Sequence, residues 1–408
     1  MRPTLHALVE QIGLQKWPER WLEIYDSVMD DFEKNGCPML DIAHIDALAE
    51  RYDILHGQRE LYHEAAQDIS RQEPLARLLA LLCASLADLE HRKEDLKNFA
   101  PVFSGEDAPN LGLNMLPGLA LLSQMPECYE NHRALGLPEE EIKAAMQIPE
   151  SAVNVFAQNH KGMPGFHLLA WYQRVIKAHY FRVGRLEVET HKRFRGRACV
   201  FRNQAGEVIA LANELMVHAS GLALGSAGAE ATEGAWEAMV EETEAYWEGH
   251  PFGKDGLVSR EKVRLGKEEW KKELSYGDMA LGLHIPADGP MTPEAVQDSL
   301  KRIRAFVKKY YPEYAHCHFH CNSWLINPKV ISLLGEESNI AKFAKLFHPL
   351  TRKSEGHAVF NFVFHTDPST PLEELPEDTR LHRALKELYL SGEYLHEMLG
   401  VILADNEI

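Results

Sequence analysis

Apolar positions recur at helical spacing through the first 160 residues. Between Pro18 and Asn35 they fall at Trp21, Leu22, Tyr25, Val28, Met29 and Phe32, one stripe of a helix, and Asn35-Gly36 supplies a stop. Asp41 is placed to cap a second helix with Ile42, Ile45, Leu48 and Ala49 inward. Glu73–Leu96, rich in Leu and Ala, reads as one long, mostly buried helix ending in a charged run. Pro138 followed by Glu139, Glu140 and Glu141 suits a first helical turn, where proline is tolerated and carboxylates face the positive end of the dipole. With no alternation of the β type and no internal repeat, residues 1–165 are predicted to be an α-helical domain.

The pattern then changes. Phe166–Tyr180 is still helical, but Phe181–Glu189 alternates as a strand, and Ala198–Arg202 and Val208–Leu215 are strands joined by a turn at Asn203–Gly206. Gly221–Gly234 is a Gly-, Ala- and Ser-rich loop, and Gly234–Trp247 is predicted to be an amphipathic helix with Glu241, Glu242 and Glu244 on a solvated face. Asp278–Pro286 is a short apolar strand. Thr292–Tyr310 is a helix capped by Thr292, with Pro293 at its first position and Glu294 in its first turn. His316–Leu325 reads as a strand, Ser338–Phe347 as a helix, Ala358–Phe364 as a strand and Leu381–His396 as a last helix. Residues 166–408 are thus predicted to be a mixed α/β domain, which makes the whole chain α+β.

Composition narrows the function classes. The 408 residues are 45% hydrophobic and 25% charged, which excludes disorder as the main state. Acidic residues outnumber basic ones by 61 to 43, and a charge of −18 disfavours binding to nucleic acid. Cys37, Cys83, Cys128, Cys199, Cys317 and Cys321 are few and scattered, as in a reduced compartment. The N-terminus lacks the apolar run of a signal peptide, and the longest apolar stretch, within Leu75–Leu89, is too short for a bilayer. A cytoplasmic protein without membrane partners is expected.

Two segments carry candidate chemistry. The first runs from Gly277 through His284 and Gly289 to Ala295: a strand, a Gly-containing turn and a capped helix. A helix start of this kind offers backbone N–H groups to an anion, although Pro290 and Pro293 remove two donors. The second is His316-Cys317-His318-Phe319-His320-Cys321-Asn322-Ser323-Trp324. On a strand, His316, His318, His320, Asn322 and Trp324 share one face. Alternate residues sit roughly 6–7 Å apart, so the three histidines do not readily converge on one metal ion, and no metal is expected. Cys321 and the histidines lie on opposite faces, which argues against a Cys–His nucleophile. The basic cluster Lys192–Arg197 suits a solvated hairpin end or an acidic ligand, and of Glu187 and Glu189 at least one is expected to face solvent or a cation.

An ordered series of short motifs resembles a bacterial acyltransferase-like family that joins a helical N-acyltransferase N-terminal domain to a GNAT-like C-terminal domain. The motifs are Phe181–Glu189, Gly277-Asp278, Leu283-His284-Ile285-Pro286, Ser299, Tyr311-Pro312-Glu313, Cys321–Leu325 with Pro328, and Ser338-Asn339-Ile340 with Phe343. They span roughly residues 160–400. The resemblance implies a mixed sheet in which two central parallel strands, Met279–Pro286 and His316–Leu325, splay apart around the pantetheine arm of an acyl-CoA. It implies cofactor contacts from Ile285, Gly289, Thr292, Glu294, Ala295 and Asn339, and it brings His284 near His318 or His320. The reaction it implies is direct attack of a small acceptor's amine on the thioester. His284 would be the base, Asn322 would orient substrate or water, and Ser323, Tyr310 or Tyr311 would protonate the thiolate. Ala287–Pro293 departs from the Gln/Arg-x-x-Gly-x-Gly/Ala phosphate pattern and adds Asp288, so a non-catalytic ligand-binding protein on the same frame is the alternative.

Overall fold

The computed structural model describes residues 2–404. The chain divides into two compact units after Phe181.

The first unit is helical. Trp21–Asn35 buries Trp21, Tyr25 and Met29, the stripe its sequence spells, and the Trp21 indole donates to Ser85 Oγ at 2.7 Å. Asp41 caps Ile42–Tyr52 through the Ala43 amide. Glu73–Ala87 is buried on nearly every side and packs against Trp21–Asn35 and the apolar helix Leu111–Leu122. The long helix expected over Glu73–Leu96 is broken. Asp88 accepts hydrogen bonds from the amides of Glu90 and His91, and a separate helix, Arg92–Lys97, follows. An Asp side chain competing for backbone amides ends a helix in this way. Leu169–Ile176, the core of the helix expected at Phe166–Tyr180, packs on helices of this unit.

The second unit holds two main sheets. The first comprises β1 (Tyr180–Val183), β2 (Leu186–Arg193), β11 (Met279–His284), β12 (His318–Ser323), β14 (Met398–Ile402) and β13 (His348–Thr351), in the order β1-β2-β11-β12-β14-β13. The second comprises β3 (Ala198–Asn203), β4 (Val208–Ala212), β7 (Glu241–Glu242), β8 (Tyr246–Pro251), β9 (Val263–Gly266) and β10 (Trp270–Ser275), and β5 (Leu215–Val217) pairs with β6 (Trp236–Ala238). Ala280, Leu350, Leu399 and Val401 of the first sheet pack against Val200, Ala210 and Leu274 of the second. The helix Pro293–Tyr310 lies over the other face of the first sheet. It buries Val296, Ser299, Leu300, Ile303 and Val307, and the Arg304 guanidinium stands 3.8 Å from the Phe319 ring centre. Thr292 caps it by accepting from the Ala295 amide.

Several local expectations are corrected. Phe181–Glu189 is not one strand but a hairpin, β1 and β2, turning at Gly184 (φ +65°), where L side chains are strained. Gly234–Trp247 is not a helix but β6, β7 and the start of β8. Its Ala and Glu residues favour a helix locally, yet Glu241 and Glu242 pair with Lys262 (2.6 Å) and Lys267 (2.8 Å) at the two ends of β9, and Ala238 and Trp247 are buried there. Ala358–Phe364 is not a strand; Phe360–Phe364 is a π-helical turn. Its Phe360, Val363 and Phe364 are buried while Phe362 is 63% exposed, a helical spacing that the run of alternate phenylalanines hides. The last helix, Arg380–Leu390, ends before β14.

Candidate functional site

Everything at the site follows from the register of β11. This strand runs antiparallel to β2 and parallel to β12. Against β12 the pairing covers Ala280, Leu281 and Gly282, opposite His318, Phe319 and His320. Beyond that point Leu283 and His284 remain paired with Val188 and Glu187 of β2, while Cys321, Asn322 and Ser323 remain paired with Gly400, Leu399 and Met398 of β14. Each strand keeps its outer neighbour and loses its inner one, so the sheet opens between β11 and β12. The splayed central sheet expected from the sequence is therefore present.

Residues opposite one another in neighbouring strands point to the same side. One face thus carries Ala280, Gly282 and His284 with Glu187 and Glu189 on one flank and His318 and His320 on the other. Glu189 is 4% exposed, and its Oε2 lies 3.0 Å from His284 Nε2 and 3.1 Å from Lys192 Nζ. Glu189 and Lys192 are three apart and would face opposite ways on a regular strand. A bulge in β2, marked by the register shift against Ala280 and Gly282 and by His191 at φ +56°, returns Lys192 to the face of Glu189. Gly282 lies in the middle of the cluster: a Cβ there would stand in ordinary contact, 3.4 Å from Glu189 Cβ and 3.6 Å from His284 Nε2.

The three histidines of the β12 segment separate into different environments. His316 is exposed in a turn before the strand. His318 is structural, because Nε2 donates to the Glu273 carbonyl (3.1 Å) and Nδ1 accepts from the Ala404 amide (2.9 Å). His320 sits across Gly282 with both ring nitrogens buried and without a hydrogen-bond partner among the described residues. Burial, with the charge of Lys192 adding to it, pushes His320 down to about 4, so this ring is neutral near pH 7. No group of three or more metal-ligating side chains is found among the described residues. Cys321 faces the apolar side, and burial pushes its thiol up to about 12.

The remaining candidate residues divide between the strand ends and the following loop. Asn322 is exposed on the face of His320. Ser323 accepts from the Leu325 amide at 3.1 Å, capping a short 3-10 turn. Ile285 is half-buried just beyond β11. Gly289 (φ +71°) lies in a loop braced from the β1–β2 hairpin. The Arg185 guanidinium donates to the carbonyls of Pro286 (3.0 Å), Gly289 (3.1 Å) and Pro290 (3.2 Å), and Arg182 pairs with Asp288 at 3.1 Å. Partial burial opposes ionisation of Asp288, but the Arg182 hydrogen bond and charge outweigh it and hold the carboxyl below its ordinary range. In the first helical turn Pro293 has no N–H and the Ala295 amide is taken by Thr292, which leaves the amide of the exposed Glu294 for an anion. Asn339 lines a shallow groove with Met291, Pro293, Val296, Lys342 and Phe343, and it is the one residue of the predicted cofactor set that does so. Tyr310 and Tyr311 lie at the far end of an 18-residue helix from Thr292, about 25 Å away at 1.5 Å per residue.

Glu189, Lys192, Arg182 and Arg185 emerge only from the fold. The sequence marked at least one of Glu187 and Glu189 as facing solvent or a cation; Glu189 pairs with Lys192, but nothing in the spacing showed that a bulge joins them. No curated protein matches this chain. Three solved structures share its fold over 98% of its length and 99% of their own: an acyltransferase in complex with decanoyl-CoA and teicoplanin (20% identity, TM-score 0.60), an acyltransferase with CoA and 10C-teicoplanin (18%, 0.60) and an acyltransferase mutant with octanoyl-CoA (19%, 0.59). The profile of the GNAT-like C-terminal domain family matches residues 180–402, more than half of the chain, and with the parted strands at its centre the chain belongs to that family.

Proposed function

We propose that the protein transfers an acyl group from an acyl-CoA thioester to an amine of a small acceptor. The observation that carries the reading is the parting of β11 and β12 after Gly282 and His320, which leaves backbone groups of both strands facing a gap. The structures that share the fold hold CoA, octanoyl-CoA or decanoyl-CoA, and two of them hold teicoplanin or 10C-teicoplanin, which supports a thioester donor and a small-molecule acceptor. A pantetheine arm in the gap would hydrogen-bond the unpaired strand edges. A backbone N–H beyond Gly282 would polarise the thioester carbonyl. The acceptor nitrogen attacks that carbon, His284 takes a proton from the nitrogen, the C–S bond breaks, and the thiolate leaves and is protonated as free CoA. Asn322, exposed on the same face, would orient the acceptor or a water, and Ser323, at the end of β12, would protonate the thiolate.

The donor-poor helix start and the loop carbonyls held by Arg185 favour a second reading, a ligand-binding protein on the same frame. Thermal shift with CoA, acetyl-CoA, octanoyl-CoA and decanoyl-CoA, followed by thiol release with a panel of primary amines that includes teicoplanin, separates the two. Specific binding at a hundredfold excess over Kd stabilises by about 2.7 kcal/mol. No shift with CoA or any thioester sinks the transferase reading. A shift without thiol release for any amine leaves binding alone. With an active amine, His284→Gln should lower kcat by about 10²–10⁴-fold, and an unchanged kcat removes the base role.

A further inference from the structure

We propose that Glu189 is the positioning residue for His284: its buried carboxylate selects the imidazole's neutral tautomer and holds the imidazolium that forms when His284 accepts a proton. This rests on the base role given to His284 above. The carboxylate is 5% exposed at its side chain and reaches Nε2 at 3.0 Å, while the His284 side chain is 33% exposed. Lys192, 3.1 Å from the same oxygen, favours the ionised form of Glu189. An ionised carboxylate only accepts hydrogen bonds, so Nε2 bears the hydrogen in the neutral ring and the lone pair resides on Nδ1.

The proton accounting is then fixed. As the acceptor nitrogen forms its bond to the carbonyl carbon, one of its protons passes to Nδ1. The Nε2 hydrogen stays in place, shared with Glu189, and the new positive charge spreads over a ring that already touches a carboxylate. Glu189 neither gains nor loses a proton.

The surroundings tune this pair. Lys192 balances Glu189 before the reaction. Across Gly282, His320 adds no positive charge near neutral pH because burial keeps it neutral. On the other flank Glu187 stands opposite His284, with Arg182 3.9 Å from its carboxylate. The bulge in β2 serves the same end, since without it Lys192 would leave the face of Glu189.

The test is nitrogen NMR of the full-length protein labelled with 15N-histidine, with His284 assigned by the signal missing in His284→Gln. The spectra are taken at a pH where the ring is neutral, and the hydrogen is then expected on Nε2; a neutral ring with hydrogen on Nδ1 overturns the proposal, and the measurement requires no substrate. In turnover with octanoyl-CoA and an amine found active in the thiol-release screen, Glu189→Gln should lower kcat by roughly one to two orders of magnitude and leave KM for octanoyl-CoA within about twofold. Glu189→Asp should recover part of the loss. Wild-type kcat in Glu189→Gln overturns the positioning role. Wild-type kcat in His284→Gln removes the base reading instead, and the wild-type tautomer then still reports whether Glu189 orders the ring.

Discussion

Gly184→Ala tests how the β1–β2 hairpin is tied to the helix that follows β11. Gly184 sits at φ +65°, and a Cβ added there would stand 2.7 Å from Ser299 Oγ. That hydroxyl is fully buried; it accepts from the Arg185 amide at 2.7 Å and donates to the Ala295 carbonyl at 2.7 Å. Alanine therefore meets two costs. A left-handed backbone costs a residue with a Cβ about 1–2 kcal/mol. Displacing Ser299 disturbs a fully buried hydroxyl and its two hydrogen bonds for a further 1–3 kcal/mol or so, which gives about 2–5 kcal/mol together. Gly206→Ala is the control: it has φ +84°, lies in the same unit and has open space around the added Cβ, so it meets the backbone cost alone. In a unit of this size each kcal/mol moves Tm by about 2–4 °C. Urea and thermal transitions of both variants, followed by the same probe, give the difference. Because the hairpin also carries Arg185, whose guanidinium braces Pro286, Gly289 and Pro290, KM for an acyl-CoA should rise in Gly184→Ala and not in Gly206→Ala. If the two variants are equally stable, the tie through Ser299 is not what the hairpin depends on.

Three further outcomes are expected. His320 titrates at about 4 in the folded chain against about 6.5 unfolded, so its contribution is whole above pH 6.5 and is lost as pH falls toward 4, where the unfolded chain binds the proton first. The loss is on the order of 3 kcal/mol, and urea midpoints at pH 7 and pH 4.5 should differ less in His320→Leu than in wild type; an equal difference contradicts the burial argument. Cys321, buried with its thiol near 12, should escape iodoacetamide in the native protein at pH 8 while the half-buried Cys317 is modified, as read by peptide mass spectrometry; early labelling of Cys321 would contradict its placement. Arg185→Gln should raise KM for an acyl-CoA more than it changes kcat, because the loop before Thr292 loses its brace, and an unaltered KM places the cofactor away from that loop.

The sequence by itself determined elements whose signals are local. The stripe of Trp21, Tyr25 and Met29, the Asp41 cap and the Thr292-Pro293 helix start each depend on contacts within a few residues, and each stands where the spacing put it. The order of motifs from Phe181 to Phe343 carried the family and its opened sheet. Only the tertiary structure decided the rest, because those features depend on partners far along the chain. Helix-favouring residues at Gly234–Trp247 became strands because they pair with β5 and β9 and bury Ala238 and Trp247. His318 and His320 look alike in the chain, yet among the described residues one is bonded at both nitrogens and the other at neither. Glu189 became the partner of His284 because β2 pairs with β11 in one register and bulges once. A residue's own identity sets what chemistry it can do, and strand pairing, which sums weak contacts over long loops, sets which other residue it does it with.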